Sequence, residues 1–228
     1  QAQVAVGLKA GANFGNVYMT EALGNLAPDF KFATGAVAGG VVEANFGKYF
    51  AVQSELNWVQ KGFKFTEDVN IPVGNLDIPA GVSATIRTNY LEIPLLAKAK
   101  LGNDIIQAYA VLGPSFGYAM NGQLITRTRL LFEFNPIHTN LNFDALDYNR
   151  LEVSAVGGLG MQVNFHGGKW FADARYTQGL TQLYNFPVVN EQIKNRGIAL
   201  STGVMINLFD APAKKKAPIR RAAVARKW

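Results

Sequence analysis

Apolar and polar residues alternate with a period of two along most of this chain, and no other feature limits its possible folds so strongly. In residues 4–14, Val4, Val6, Leu8, Ala10, Ala12 and Phe14 form one set, while Ala5, Gly7, Lys9, Gly11 and Asn13 form the other. Residues 151–165 repeat the pattern, with Val153, Ala155, Gly157, Leu159, Met161, Val163 and Phe165 set against Glu152, Ser154, Gly158, Gly160, Gln162 and Asn164. Alternation of this kind marks strands whose two faces meet different surroundings. Either lipid lies outside and a polar lumen inside, or an apolar core lies inside and water outside.

The connections between strands favour the first reading. Eight alternating segments fall at 4–15, 34–46, 50–63, 85–100, 105–120, 150–165, 170–180 and 196–209. Three of the connections are short turns, at Gly47-Lys48, Gly102-Asn103-Asp104 and Gly167-Gly168, and four are long, at 16–33, 64–84, 121–149 and 181–195. Long and short alternate strictly. Outer-membrane barrels have short periplasmic turns and longer extracellular loops, whereas a soluble barrel or sandwich has no reason to keep that order. The expected fold is all-β: an eight-stranded antiparallel up-and-down transmembrane β-barrel over residues 1–209, followed by a basic periplasmic tail over 210–228.

Composition agrees. Charged residues make up only 17%, below the roughly 25% of a soluble domain, yet no run approaches the ~18 apolar residues of a helical span. Aromatics gather at the two ends of the segments, as interfacial girdles require. Phe46, Tyr49, Phe50, Phe165, Trp170 and Phe209 lie toward the short turns; Phe14, Trp58, Phe63, Tyr118 and Tyr176 lie toward the long connections. Pro94 and Pro114 fall inside segments, where a missing N–H disrupts a ladder, and read as bulges or bends. The chain opens directly on a strand pattern and has no Cys, which suggests an exported mature protein and excludes disulfides and thiolate sites.

The net charge of +6 is local. Lys214, Lys215, Lys216, Arg220, Arg221, Arg226 and Lys227 stand against Asp210 alone in residues 210–228, leaving 15 basic and 15 acidic residues in 1–209. In isolation, such a segment reads as a solvated tail. Its other reading is a partner-binding arm with Trp228 as an aromatic anchor, docking on a periplasmic protein, the cell wall or the inner-leaflet lipid.

At Tyr90-Leu91-Glu92-Ile93-Pro94-Leu95-Leu96-Ala97-Lys98 the sequence resembles the fourth-strand signature of the Bacteroidota outer-membrane β-barrel family called porin-like or PorT-type. The segments GLKAGANF at 7–14, QSELNWVQKG at 53–62, YAVLGPSFGY at 109–118 and ARYTQGLT at 174–181 are similar to its first, third, fifth and seventh strands. The resemblance implies an eight-stranded barrel with extracellular loops and no shared catalytic residues. It also implies kinship with components of protein export and gliding. The tail departs from the family pattern, which ends at the last strand.

With the aliphatic set outward, the inward set holds Lys9, Lys61, Lys98 and Arg175 together with Glu43, Glu55, Glu92, Glu152 and Asp173. Arg87 has the opposite parity and joins them only through a bulge or a rim position. An eight-stranded interior is just wide enough for side chains to fill, and buried charges must be paired, so these residues are expected to form a salt-bridged plug. Gln53, Tyr90 and Gln162 are expected to help fill it. A proton or ion path along the same network is the alternative. His138 in the third long connection and His166 beside a short turn fall at opposite ends and cannot share a site. No nucleophile and base pairing, ligand spacing or phosphate loop emerges, so no enzyme activity, metal, cofactor, nucleic acid or small-molecule substrate is expected. Asp144 and Asp147 are the one weak calcium candidate, and turn-forming roles explain them as well. The expected partners are outer-membrane lipid and periplasmic or outer-membrane proteins. The expected role is an accessory subunit of an outer-membrane assembly, in secretion, gliding or barrel assembly. A small passive channel, or an adhesin or receptor acting through the loops, are the alternatives.

Overall fold

A computed structural model describes residues 3–19, 31–73, 76–130, 132–133, 137–140, 149–182 and 193–208. Within them run ten strands: β1 (Gln3–Met19), β2 (Lys31–Phe46), β3 (Phe50–Val73), β4 (Leu76–Gly102), β5 (Ile106–Leu130), β6 (Phe132–Glu133), β7 (Ile137–Asn140), β8 (Leu151–Phe165), β9 (Gly168–Gly179) and β10 (Ile193–Asn207). Eight of them close into an antiparallel ring in the order β1-β2-β3-β4-β5-β8-β9-β10. The ring shuts where β10 returns to β1, from Ala5 opposite Asn207 to Met19 opposite Ile193. Closure matters because it leaves no unpaired backbone edge to face lipid. The two short strands β6 and β7 fold back onto β5 beyond the ring.

All three short turns carry a glycine in the left-handed region: Gly47 (φ 79°), Gly102 (φ 140°) and Gly167 (φ 83°). Only glycine reaches that conformation without strain, which is why these positions mark the strand reversals. Two of the connections expected to be long loops are instead largely strand. β3 and β4 continue through 64–84 as one hairpin, paired from Lys64 and Thr85 to Val73 and Leu76. β5 likewise continues to Leu130, with β4 beside it as far as Ala80. At 24 and 27 residues, β3 and β4 are more than twice the ~9–11 needed to cross a bilayer. The Asp, Asn and Pro residues of 64–84 disfavour strands, but backbone pairing across the hairpin outweighs them.

Neither Pro94 nor Pro114 produces a bulge. Pairing lapses briefly beside them, and Ala97 opposite Leu112 resumes the register of Pro94 opposite Ser115. Gly113 permits this close approach, since a Cβ there would lie 2.0 Å from the Leu95 carbonyl oxygen. The register shift in this ladder occurs earlier, between Asn89 and Tyr90.

Side-chain burial follows the alternation. Leu8, Val42, Val52, Leu56, Leu91, Ile93, Leu95, Leu159, Leu200, Val204 and Ile206 are exposed on the outer wall. Val163 belongs to the same face but is half-buried between its cross-strand neighbours Ile106 and Trp170. Phe46, Tyr49, Phe50, Phe165 and Trp170 are exposed toward the short-turn end, and Trp58, Tyr118 and Tyr176 toward the other. Phe14 and Phe63 are half-buried, and Phe209 lies outside the described residues.

Ile93 is exposed within the outward band. Ile93→Arg should destabilise the folded barrel by roughly 2–4 kcal/mol, the cost of Arg at a bilayer midplane, as measured by reversible denaturant unfolding in lipid vesicles. A change within about 0.5 kcal/mol would show that this position does not face hydrocarbon.

Candidate functional site

Eleven charged side chains are buried inside the ring among the described residues: Lys9, Lys61, Lys98, Lys100, Lys169, Arg175, Glu43, Glu55, Glu92, Glu152 and Asp173. They fall into three tiers. Nearest the short turns, Glu43 accepts from Lys98 at 2.8 Å and from Lys169. In the middle, Glu55 accepts from Lys9 at 2.9 Å and from Arg175 at 2.8 Å, while Arg175 also reaches Asp173 at 2.7 Å. Nearest the long connections, Lys61 bridges Glu92 at 2.5 Å and Glu152 at 2.6 Å. Every carboxylate of the set is thus held by at least one cation.

Neutral side chains complete the coordination. Gln53 and Asn57 donate to Glu55 at 2.5 and 2.7 Å. Ser201 donates to Asp173, and Ser154 and Asn195 donate to Glu152. Tyr109 joins two tiers: its hydroxyl donates to Asp173 at 3.0 Å, and the Lys98 ammonium stands 3.8 Å from its ring centroid. The ring takes this place because Gly160 lies opposite it in the ladder; a Cβ there would come within 2.3 Å of Tyr109 Cζ. Lys61 stands similarly over Tyr90, 4.8 Å from its centroid. An apolar cluster that includes Phe171, Met205, Leu96 and Val41 fills space among the ion pairs.

Two cavities flank this packed middle. One, of about 40 Å³, lies among Lys9, Asn57, Lys61, Ser115, Arg175 and Asn195, with room for about three waters at 10–15 Å³ each. The other, of about 260 Å³, opens at the short-turn end among Asn45, Lys48, Lys100, Gln107, Gln162 and Lys169.

The structure brings together nine of the ten charged residues singled out in sequence. Arg87 stands apart. It keeps the parity opposite to buried Thr88 and Tyr90, is half-buried, and lies across from Gly62 and Gln123. Lys169 and Lys100 were missed. Lys169 shares the parity of Asp173 and Arg175, and starting the seventh segment one residue earlier would have included it. Lys100 shares the parity of Lys98. The apolar cluster gave no separate signal, because Phe171 and Met205 resemble wall residues in sequence. His138 is on β7 and His166 is in a short turn, at opposite ends of the ring. Asp144, Asp147 and the tail residues Lys214, Lys215, Lys216, Arg220, Arg221, Arg226, Lys227 and Trp228 lie outside the described residues. No group of three or more His, Asp or Glu residues able to hold a metal occurs among the described residues.

Residues 1–185 match the family model described as "Outer membrane protein beta-barrel domain". The chain belongs to that family. It is an eight-stranded barrel of the bacterial outer membrane, so its short turns are periplasmic and its extended hairpins extracellular. Comparison with curated proteins gave no match. Among solved structures, the chain is similar to OprG of Pseudomonas aeruginosa at 16% identity and a TM-score of 0.44, covering 92% of this chain and 98% of that one. It is also similar to Ail of Yersinia pestis, solved with a heparin analogue, at 14% identity and a TM-score of 0.40, covering 90% and 99%. Neisserial surface protein A shows 10% identity and a TM-score of 0.40, covering 89% and 97%.

Glu55 is the hub of the family member's lumen. Glu55→Ala leaves Lys9 and Arg175 short of a buried counter-charge and should cost about 3–5 kcal/mol, as for other broken buried pairs. Glu55→Gln, which keeps the hydrogen-bond acceptor, should cost less. Denaturant unfolding in vesicles measures both, and a Glu55→Gln barrel as stable as wild type would show that packing and hydrogen bonding, not charge, hold this position.

Proposed function

We propose that this barrel is a non-enzymatic, non-conducting membrane anchor that works through what it presents on either side of the membrane, as an accessory subunit of a larger outer-membrane assembly. The observation that carries this reading is the filled interior. Ion pairs, Tyr109, Phe171 and Met205 occupy the space a permeating solute would need, which makes the passive channel the weaker alternative. The lumenal carboxylates are engaged in ion pairs and spanned by hydrogen bonds, which supports a structural rather than a catalytic use. The resemblance to PorT-type chains of Bacteroidota suggests that the assembly serves secretion, gliding or barrel insertion.

The periplasmic side of this reading is the basic segment of residues 210–228. The body of the chain is electrically balanced, so the tail's seven bases have no internal function to serve. Exposed charges act over a Debye length of about 8 Å at physiological salt, so the tail must touch an acidic partner surface directly. Pro212 and Pro218 favour an extended chain that can lie along a groove. A second reading draws on the extracellular side, where the β3–β4 hairpin extends far past the membrane. That projection suits an adhesin or receptor.

Copurification from native membranes in mild detergent separates these readings. Truncation after Asp210 should leave the heat-modifiable barrel intact and release a stoichiometric periplasmic partner. Retention of every partner at normal occupancy by the truncated chain would overturn tail docking.

A further inference from the structure

The three lumenal tiers do not carry equal charge. Toward the extracellular end, Lys61 meets two carboxylates, and in the middle Lys9 and Arg175 meet Glu55 and Asp173. At the periplasmic end, Lys98, Lys100 and Lys169 share the single carboxylate of Glu43, an excess of two positive charges among the described residues. Lys100 is 8% exposed and donates at 2.5 Å to Asn45 Oδ1, a neutral acceptor. A largely buried ammonium whose direct partner is neutral favours an anion beside it.

Lys100 and Lys169 both line the 260 Å³ periplasmic cavity. Its other lining groups include the amides of Asn45, Gln107, Gln162 and Asn164. Gln107 Oε1 accepts from Gln162 at 2.9 Å, which leaves the Gln107 amide hydrogens for a further acceptor. The cavity's carboxylate, Asp104, is exposed and paired with Lys48 at 3.1 Å on the rim. The volume exceeds what several waters need at about 10–15 Å³ each and falls short of the ~300–1,000 Å³ that encloses a drug-sized molecule.

We propose that the periplasmic mouth of the barrel binds a small oxyanion, a phosphate or carboxylate group, between the Lys100 and Lys169 ammoniums. The anion supplies the charge that Glu43 alone does not, and the Gln107 amide donates to one of its remaining oxygens. Asn207, the last residue of β10, also lines the cavity. Asp210 is the one acid of residues 210–228. The proposal stands independently of the accessory-subunit reading.

Titration of the full chain with inorganic phosphate, in neutral-headgroup detergent at low salt and followed by calorimetry, tests it. Saturable one-to-one binding is expected. Lys100→Met should weaken it at least tenfold, whereas Lys48→Gln on the exposed rim should change it less than twofold. Should Lys100→Met fail to fold, the side-chain nitrogen resonances of Lys100 and Lys169 in the 15N-lysine-labelled wild-type chain must still move with phosphate concentration. Doping the micelles with phosphatidylglycerol identifies the source: displacement of phosphate assigns the site to a lipid headgroup, and its persistence assigns it to a soluble anion. Absence of saturable binding, or equal affinity of wild type and Lys100→Met, overturns the proposal. Binding that occurs only in Asp210→Asn also overturns it, because Asp210 then fills the site.

Discussion

A closed ring of eight strands encloses a space only about as wide as the side chains that point into it. In a bilayer those side chains include every charge that cannot face hydrocarbon. The rest of the structure follows from that double constraint: inward charges must find each other across the lumen. They do so over long sequence separations, as when Lys169 meets Glu43 and Lys61 meets Glu152. Such pairs tie distant strands together and leave little freedom for the ring to change its register. The apolar residues among them, Phe171 and Met205 above all, pack the gaps that charged side chains of fixed length leave open.

The outer wall obeys the complementary rule. Its aliphatic band and flanking aromatics are exposed because lipid, not protein, is their solvent. An exposed fraction as high as 74% for Leu8 would mark an aggregation risk in water and is ordinary for a membrane wall. The extracellular hairpins stand outside both constraints. There β3, β4 and β5 are held by their mutual pairing, which is why they extend so far beyond the membrane.

Much of this was legible in the sequence, and what was hidden was hidden for physical reasons. Period-two alternation identified the faces because a strand's side chains point alternately to lipid and lumen. The turns were legible because Gly47, Gly102 and Gly167 occupy a conformation that few other residues accept. Alternation fades where both faces of a strand meet water, so the continuation of β3 and β4 through 64–84 read as loop. Pairing partners were not legible, since sequence gives parity and not depth across the lumen. Lys169 was lost for a related reason: the glycines before it placed it in a turn, while in the structure it is the second residue of β9 and is buried like Asp173. The charge imbalance at the periplasmic mouth became visible only when Lys100 and Lys169 joined the count.

The central claim is that the lumen is shut by its own ion-paired side chains, and electrical recording tests it most directly. Purified barrel inserted into planar bilayers in 1 M KCl should give no reproducible unitary conductance. Ohmic steps that recur at a fixed size and scale with salt concentration would show a continuous aqueous path and contradict the account.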